Sequence, residues 1–239
     1  MLPSLSRRAV AESAGTAILL AGIVGSGIMA ERLSGGNVAI ALLANALATG
    51  GVLAAVILSF GPVSGGHFNP VVTLADAACG GLSWAEVPAY VCAQIAGAIA
   101  GVACANAMFA QPLLFWSHRV RNGPGILLSE FVATFGLLAV VWGCSRYRSH
   151  VTAVAVAAYI VGAYWFTAST SFANPAVAIA RSLSDTFAGI APRYVPGFVV
   201  AELFGAAAAT ALFAWLGLGS PRAIVVPHPV EVRGERYET

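Results

Sequence analysis

The chain has 239 residues, of which 59% are hydrophobic and only 9% are charged. Soluble globular domains carry about 25% charged residues, so this composition excludes an ordinary soluble domain and indicates an integral membrane protein. The formal net charge of +2 provides no basic surface for nucleic acid, and we expect no nucleic-acid partner.

Six segments are apolar over about 20 residues, the length that an α-helix needs to cross a bilayer. They are residues 9–30, 37–60, 84–107, 125–145, 150–168 and 194–217. The first could be mistaken for a signal peptide, but its apolar run is too long and contains Glu12, so we interpret it as a spanning helix. Two further apolar stretches, 69–80 and 174–185, are each about half a span long.

The second half of the chain repeats the first. "AESAGTAILLA" at 11–21 matches "SEFVATFGLLA" at 129–139, "FNP" at 68–70 matches "ANP" at 173–175, and "AQIAGA" at 93–98 matches "AELFGA" at 201–206. Each copy holds three spans, and an odd number inverts the second copy in the membrane. We predict an all-α membrane protein of six transmembrane helices plus two re-entrant half-helices, arranged as an inverted repeat.

These boundaries predict a single membrane domain over 1–217, with one repeat at about 9–107, the other at about 125–217, and a cytoplasmic tail at 218–239. With the N-terminus inside, the inner segments hold seven arginines and the outer segments five, which favours cytoplasmic N- and C-termini.

The two half-spans each begin with an Asn-Pro step, Asn69-Pro70 and Asn174-Pro175. Asn is a strong N-cap and Pro suits the first helical position, so each step predicts a helix start. Inversion directs both starts at one central point, each with a positive dipole end of about half a charge. We expect a short polar point in an apolar tube, which offers amide N–H groups to oxygen atoms and repels cations.

With these features the chain resembles the aquaporin family, also called the major intrinsic proteins. The resemblance covers about 9–217 and rests on "SGGHFNPVVTLA", "SFANPAVAIAR", "AESAGT" and "SEFVATF". It implies a homotetramer in the lipid bilayer, with one pore in each subunit for small neutral solutes. The residues that would form the pore centre are Asn69, Pro70, Val71, Asn174, Pro175 and Ala176. Val71 stands where the family has Ala.

The resemblance also implies a selectivity filter beside the pore centre. By their spacing from the two asparagines, its four residues are Thr49, Gly162, Ser171 and Val177. Glycerol-conducting members pair such a glycine with an aromatic residue and an arginine, but this chain has Thr49 and Val177 in those two places. Small side chains and a missing guanidinium predict a wide, Arg-free filter.

A filter of this kind is similar to that of bacterial aquaglyceroporin-like members associated with arsenic resistance. The resemblance therefore implies a plasma-membrane channel for arsenite and related metalloids, including methylated ones, and for glycerol-like polyols and water. One alternative is a water-selective channel, which the open filter disfavours; another is a structural membrane protein with a closed pore.

Two further residues are candidates for the pore or its mouth. His67 is expected to line the inner half of the pore. Arg181 lies one helical turn after Val177 and is expected on the same face, toward the outer mouth. Two other interpretations of Arg181 remain open, namely an ion pair with Asp185 and a side chain that reaches out to the membrane interface.

Glu12 and Glu130 lie inside predicted spans, where acidic residues are candidates for function. The resemblance implies that they support the re-entrant loops by accepting backbone N–H groups, which need partners inside a membrane. The alternative is a proton-coupled transporter that uses these two glutamates. The sequence has no nucleophile–base set and no cluster of metal ligands, so we expect no enzyme activity, no cofactor and no metal site.

Overall fold

The computed structural model describes residues 3–145 and 149–217 of the protein. Its eight α-helices, in chain order, are α1 (Leu5–Leu33), α2 (Val38–Ser64), α3 (Pro70–Ala78), α4 (Val87–Met108), α5 (Pro124–Ser145), α6 (Ser149–Phe166), α7 (Pro175–Arg181) and α8 (Val195–Trp215). A short 3-10 turn at Pro192–Tyr194 leads into α8. The predicted tail, 218–239, lies outside the described residues.

Five of these helices, α1, α2, α4, α5 and α8, are long and apolar enough to cross a membrane. Helix α6 is also apolar but is shorter than these, with 18 residues. Helices α3 and α7 have only nine and seven residues, too few to span a bilayer. The predicted all-α architecture of long helices and two half-helices is confirmed.

Two ion pairs define the ends of the helical bundle. Arg8 near the start of α1 pairs with Glu86, the residue before α4. At the other end, Arg119 in the loop after α4 pairs with Glu31 near the end of α1, at 2.8 Å. We call the end where α1 begins the proximal face and the end where α1 finishes the distal face.

The two repeats pack their long helices in the same way. A Cβ atom on Gly97 of α4 would lie 2.1 Å from the carbonyl oxygen of Ser13 in α1. A Cβ atom on Gly205 of α8 would lie 2.4 Å from the carbonyl oxygen of Phe131 in α5. Only glycine permits backbones to approach so closely, and the matched "AQIAGA" and "AELFGA" segments place both crossings at equivalent points.

Helix α7 ends earlier than the sequence predicts. The predicted half-span runs to residue 185, but the helix finishes at Arg181 and Ser182 forms its C-cap. The chain then turns back because the loop after α4 pairs with it: Phe115 N donates to Leu183 O at 3.1 Å, and Ser117 N donates to Ser182 O at 2.9 Å. This reversal carries the next residues back over the end of α7.

Candidate pore

The half-helices α3 and α7 begin side by side in the middle of the bundle. Each Asn caps its own helix, because its side-chain oxygen accepts the backbone N–H two residues on, at 3.1 Å for Asn69 and 3.0 Å for Asn174. Each Asn also donates across the junction: Asn69 Nδ2 to Ala173 O at 2.7 Å and Asn174 Nδ2 to Phe68 O at 2.8 Å. An amide nitrogen has two N–H groups, so one on each Asn remains for the central cavity that both line.

The other residues predicted for the pore centre have a supporting position. They are buried in the first turns of α3 and α7 and do not line the central cavity: Pro70, Val71, Pro175 and Ala176. Val71 is completely buried, so the extra bulk relative to alanine is absorbed by packing and does not reach the lumen.

The residue before each Asn has a strained backbone. Phe68 has φ +49° and Ala173 has φ +48°, in the left-handed region that costs an L-residue about 1–2 kcal/mol. This conformation accompanies the cross-junction bonds, since these are the two residues whose carbonyls accept the Asn N–H groups. Such strain persists only where surrounding contacts hold it.

Glu12 holds the loop before α3. Its carboxylate accepts the backbone N–H groups of His67 at 3.0 Å and Phe68 at 2.6 Å. It also accepts from Ser64 Oγ at 2.6 Å and from Gln94 Nε2 at 2.8 Å. The carboxylate of Glu12 is completely buried. The four hydrogen bonds that it accepts replace the contacts with water that it loses on burial.

Glu130 contacts the loop before α7 in the same manner. It accepts the N–H groups of Phe172 at 2.9 Å and Ala173 at 2.8 Å. A second acid, Glu202 of α8, accepts from Asn174 N at 3.0 Å, while its other oxygen has no partner among the described residues. Glu202 matches Gln94 of the first repeat, so the second loop is held by two acids and the first by one.

The central cavity has a volume of about 70 Å³ and runs along both half-helix starts. On this measure a water needs roughly 10–15 Å³, so the cavity holds a short file of water-sized molecules. Four long helices supply its mostly apolar wall, each with residues four apart: Leu19 and Ile23 of α1, Thr49, Leu53 and Ile57 of α2, Leu137 and Val141 of α5, and Thr152, Val156, Ile160 and Tyr164 of α6. The α1 and α5 pairs occupy matched places in the two repeats.

The structure places three of the four predicted filter residues on this cavity, namely Thr49, Ser171 and Val177. The prediction for Gly162 is wrong. Gly162 is exposed on the outside of the bundle, and a Cβ atom there would meet nothing within 4 Å. In its place Tyr164 lines the cavity, with its hydroxyl 3.2 Å from that of Thr49.

The register of α6 explains this correction. The buried stripe of α6 faces the cavity at every fourth residue, ending at Tyr164, whereas the exposed stripe runs through Val154, Ala158 and Gly162. Two residues of helix turn the chain by about 200°, which moves Gly162 to the far side. The opening, for which the sequence predicts three small side chains, therefore contains the aromatic ring of Tyr164.

The position of Arg181 contradicts the predicted Arg-free filter. Arg181 is only 2% exposed and lines the cavity together with Val177, so the wall is not free of arginine. Its Cζ lies 3.4 Å from the centre of the Phe172 ring, and its Nε donates to Ala188 O, in the segment that turns back over α7. Its Nη1 has no hydrogen-bond partner among the described residues.

Both alternative interpretations of Arg181 are wrong. Its burial excludes a side chain that reaches the membrane interface. Asp185 is bound elsewhere, by the backbone N–H of His118 at 2.9 Å and by the His118 ring at 3.1 Å. Burial tends to raise the pKa of Asp185, but the hydrogen bonds from His118 outweigh it and leave that pKa below its usual value.

A wider cavity, the distal vestibule, lies beyond Arg181. It has a volume of about 390 Å³, and its wall includes Asn45, Thr170, Arg121 and Arg181. Arg121 donates to the carbonyls of Gly189 at 2.8 Å and Ser169 at 3.0 Å. Because Arg181 lines both cavities, its guanidinium lies at the passage between them.

His67 lines the central cavity just before α3. Its Nδ1 lies 3.1 Å from Thr73 Oγ1, and its Nε2 lies 3.6 Å from a carboxylate oxygen of Asp76. The imidazole is thus held on both nitrogens by residues of α3, which fixes the ring beside the lumen.

Comparison with known proteins agrees with this architecture. Residues 2–168 match the family described as Major intrinsic protein. Over 212 residues the chain is 53% identical to "Aquaglyceroporin AqpS" of Rhizobium meliloti (strain 1021), covering 89% of this chain and 91% of that protein. Over 162 residues it is 35% identical to "Aquaporin NIP1-3" of Oryza sativa subsp. japonica, covering 64% of this chain and 54% of that one.

A solved structure shares the fold. The aquaglyceroporin from Plasmodium falciparum superposes with a TM-score of 0.63 at 20% sequence identity, covering 88% of this chain and 96% of that one.

Proposed function

Because this chain belongs to the major intrinsic protein family, we propose that it is a passive transmembrane channel for glycerol-like polyols, for arsenite and related metalloids, including methylated ones, and for water. The observation that carries the proposal is the central cavity itself. Its wall is apolar except for a few donors, and the two helix-capping asparagines each offer one N–H group at its middle.

The polar edge of the cavity fits a small solute with hydroxyl groups. Thr49 and Tyr164 present paired hydroxyls, and Ser171 Oγ is buried without a partner among the described residues. The rest of the wall is largely aliphatic and includes Val177. A polyol has hydroxyls along one side and C–H groups along the other, and a neutral hydroxy-metalloid is similar in size and hydrogen bonding, so both match such a wall.

The hydrogen bonds of the two intramembrane acids, Glu12 and Glu130, support a structural role for them. Glu12 accepts four hydrogen bonds and Glu130 accepts two backbone N–H groups. A proton carrier in a coupled transporter has to release and take up protons during the cycle, which here would break the contacts that hold both strained loops. We therefore favour passive conduction over proton coupling.

The protein is proposed to act as a homotetramer in a bacterial plasma membrane, with the proximal face and both termini in the cytoplasm. The excess of arginines at Arg7, Arg8 and the 146–148 segment supports this orientation. Family membership supports the assembly.

Flux measurements in liposomes test the proposal. Vesicles that contain the purified protein are exposed to separate gradients of water, glycerol, a larger polyol and arsenite, and volume or uptake is followed. Passive flux of glycerol and arsenite without an ion gradient is the expected result. Flux of water alone would overturn the solute assignment, and a requirement for a proton gradient would overturn the channel.

A further inference from the structure

Two guanidinium groups pack against one aromatic ring at the distal end of the central cavity. Arg181 Cζ lies 3.4 Å and Arg121 Cζ 5.0 Å from the centre of the Phe172 ring. Arg181 lines both the central cavity and the distal vestibule, and Arg121 lines the vestibule. Two positive charges are thus concentrated in a confined and largely apolar place.

Neither cation has a carboxylate partner among the described residues. The acids of the distal loops are paired with other bases, Asp185 with His118 and Glu31 with Arg119. Glu130 of α5 is near enough for its charge to offset part of theirs, but its two oxygens accept the backbone N–H groups of Phe172 and Ala173 and form no ion pair with either guanidinium. The passage therefore has an excess of positive charge, and buried charges of this kind are normally compensated.

The two arginines differ in how their donors are used. Arg121 is held by Gly189 O, Ser169 O and the Thr170 hydroxyl at 3.3 Å, which fixes its position behind the ring. Arg181 donates a hydrogen bond from Nε to Ala188 O, but its Nη1 is buried and has no partner among the described residues. An unpaired buried donor on a charged group is costly unless a ligand satisfies it.

We propose that Arg181, assisted by the charge of Arg121, is a binding site for a small monovalent oxyanion such as a carboxylate. A carboxylate has the planar pair of oxygens that a guanidinium binds best, and it would satisfy the free donor and offset the excess charge together. A neutral hydroxyl could satisfy the donor but would leave the charge uncompensated. The central cavity of about 70 Å³ beside Arg181 limits the ligand to a few heavy atoms.

An anion at this point would occupy the path of neutral solutes. Arg181 lines both cavities, so a ligand bound to it stands between the vestibule and the two asparagines. We expect anions of this class on the distal side to slow the flux of neutral solutes competitively. Binding itself needs no gradient and no flux, so its measurement is independent of the proposed channel activity.

The test is calorimetric titration of the full-length protein in nanodiscs with formate, and with formamide as a neutral molecule of the same shape. Saturable binding of one formate per subunit and no binding of formamide is expected. Arg181→Gln should weaken formate binding at least about tenfold, whereas Arg181→Lys, which keeps the charge, should weaken it less. Arg193→Gln is the matched control, because Arg193 is exposed, lines neither the central cavity nor the distal vestibule and should leave binding unchanged.

Three results would overturn the proposal: no formate binding by the unmodified protein, equal binding of formamide, or unchanged formate binding in Arg181→Gln. The first two use the unmodified protein and so do not depend on the folding of any variant. Glycerol flux is measured on the same purified protein reconstituted into liposomes. A protein that conducts glycerol but binds no formate refutes the anion site alone, and one that binds formate but conducts nothing refutes the channel alone.

Discussion

The hydroxyl groups of Thr49 and Tyr164 lie 3.2 Å apart on the wall of the central cavity and join α2 to α6. This contact places an aromatic ring on the wall of the opening, which the aliphatic side chain of Val177 also lines. The size of the solute that passes should therefore depend on Tyr164.

Replacing Tyr164 by Ala should widen the opening. Removal of the ring frees the space of several heavy atoms beside Thr49, so flux of a four- or five-carbon polyol should rise about tenfold relative to water. Gly162→Ala is the control, since its new methyl group meets open space on the outside of the bundle. Stopped-flow light scattering on proteoliposomes measures both. A loss of glycerol flux in Gly162→Ala would instead place Gly162 at the opening.

Replacing Val177 by Arg should narrow the opening and add a third positive charge near Arg121 and Arg181. Flux of glycerol and arsenite is expected to fall about tenfold or more, while water, which needs less room, falls less. Val177→Leu separates bulk from charge and should reduce polyol flux only moderately. The same liposome assay applies, and unchanged polyol and metalloid flux in Val177→Arg would show that residue 177 lies away from the constriction.

Replacing Glu12 by Gln should destabilise the protein. The new amide nitrogen would face hydrogen-bond donors on every side, so at least one bond turns into a clash of donors, at a cost of about 3 kcal/mol. Glu202→Gln should cost less than about 1 kcal/mol, because the unpartnered oxygen of Glu202 can become the amide nitrogen. Thermal unfolding in detergent compares the two, and equal losses would contradict the assignment of Glu12 as the acceptor that holds the loop.

Replacing Gly97 by Ala should separate α1 from α4. The added Cβ would lie 2.1 Å from Ser13 O, and backbone atoms cannot yield without moving the helix, so we expect a loss of about 1–3 kcal/mol or more. Gly51→Ala is matched to it, since Gly51 also lies within a long helix but its Cβ would meet nothing within 4 Å. That change should be neutral or stabilise by up to about 1 kcal/mol. Thermal unfolding again distinguishes them, and similar midpoints would contradict the close crossing.

The sequence predicts the fold well because the fold rests on patterns that a single chain displays. Span length, the two Asn-Pro steps and the matched segments around Glu12 and Glu130 each follow from local chemistry or from duplication. The cross-junction bonds are consistent with the same logic, since inversion directs both helix starts at one point. What the sequence does not show directly is that each Asn donates to the other repeat.

The errors at the filter have a different origin. The prediction of Gly162 rests on its spacing of twelve residues from Asn174, which assumes a fixed path through the loop between them. In α6 the stripe of Thr152, Val156, Ile160 and Tyr164 and the stripe of Val154, Ala158 and Gly162 have the same four-residue spacing, so the spacing alone does not show which one faces the cavity. The four-residue spacing from Val177 predicts the face of Arg181 but not its contacts, because its partners, Phe172 and Ala188, come from irregular segments on either side of α7.

The two cross-junction bonds also bear on how the protein is made. They join residues 104 and 106 positions apart, so the first re-entrant loop cannot reach its final state until the second has been synthesised. At roughly 5–20 residues per second the ribosome takes on the order of 5–20 s to supply the missing half. During that interval the first half carries an unfinished polar loop within the membrane. The two halves, expressed as separate polypeptides divided in the loop after α4, should therefore conduct glycerol only when both are present, and flux from either half alone would contradict this dependence.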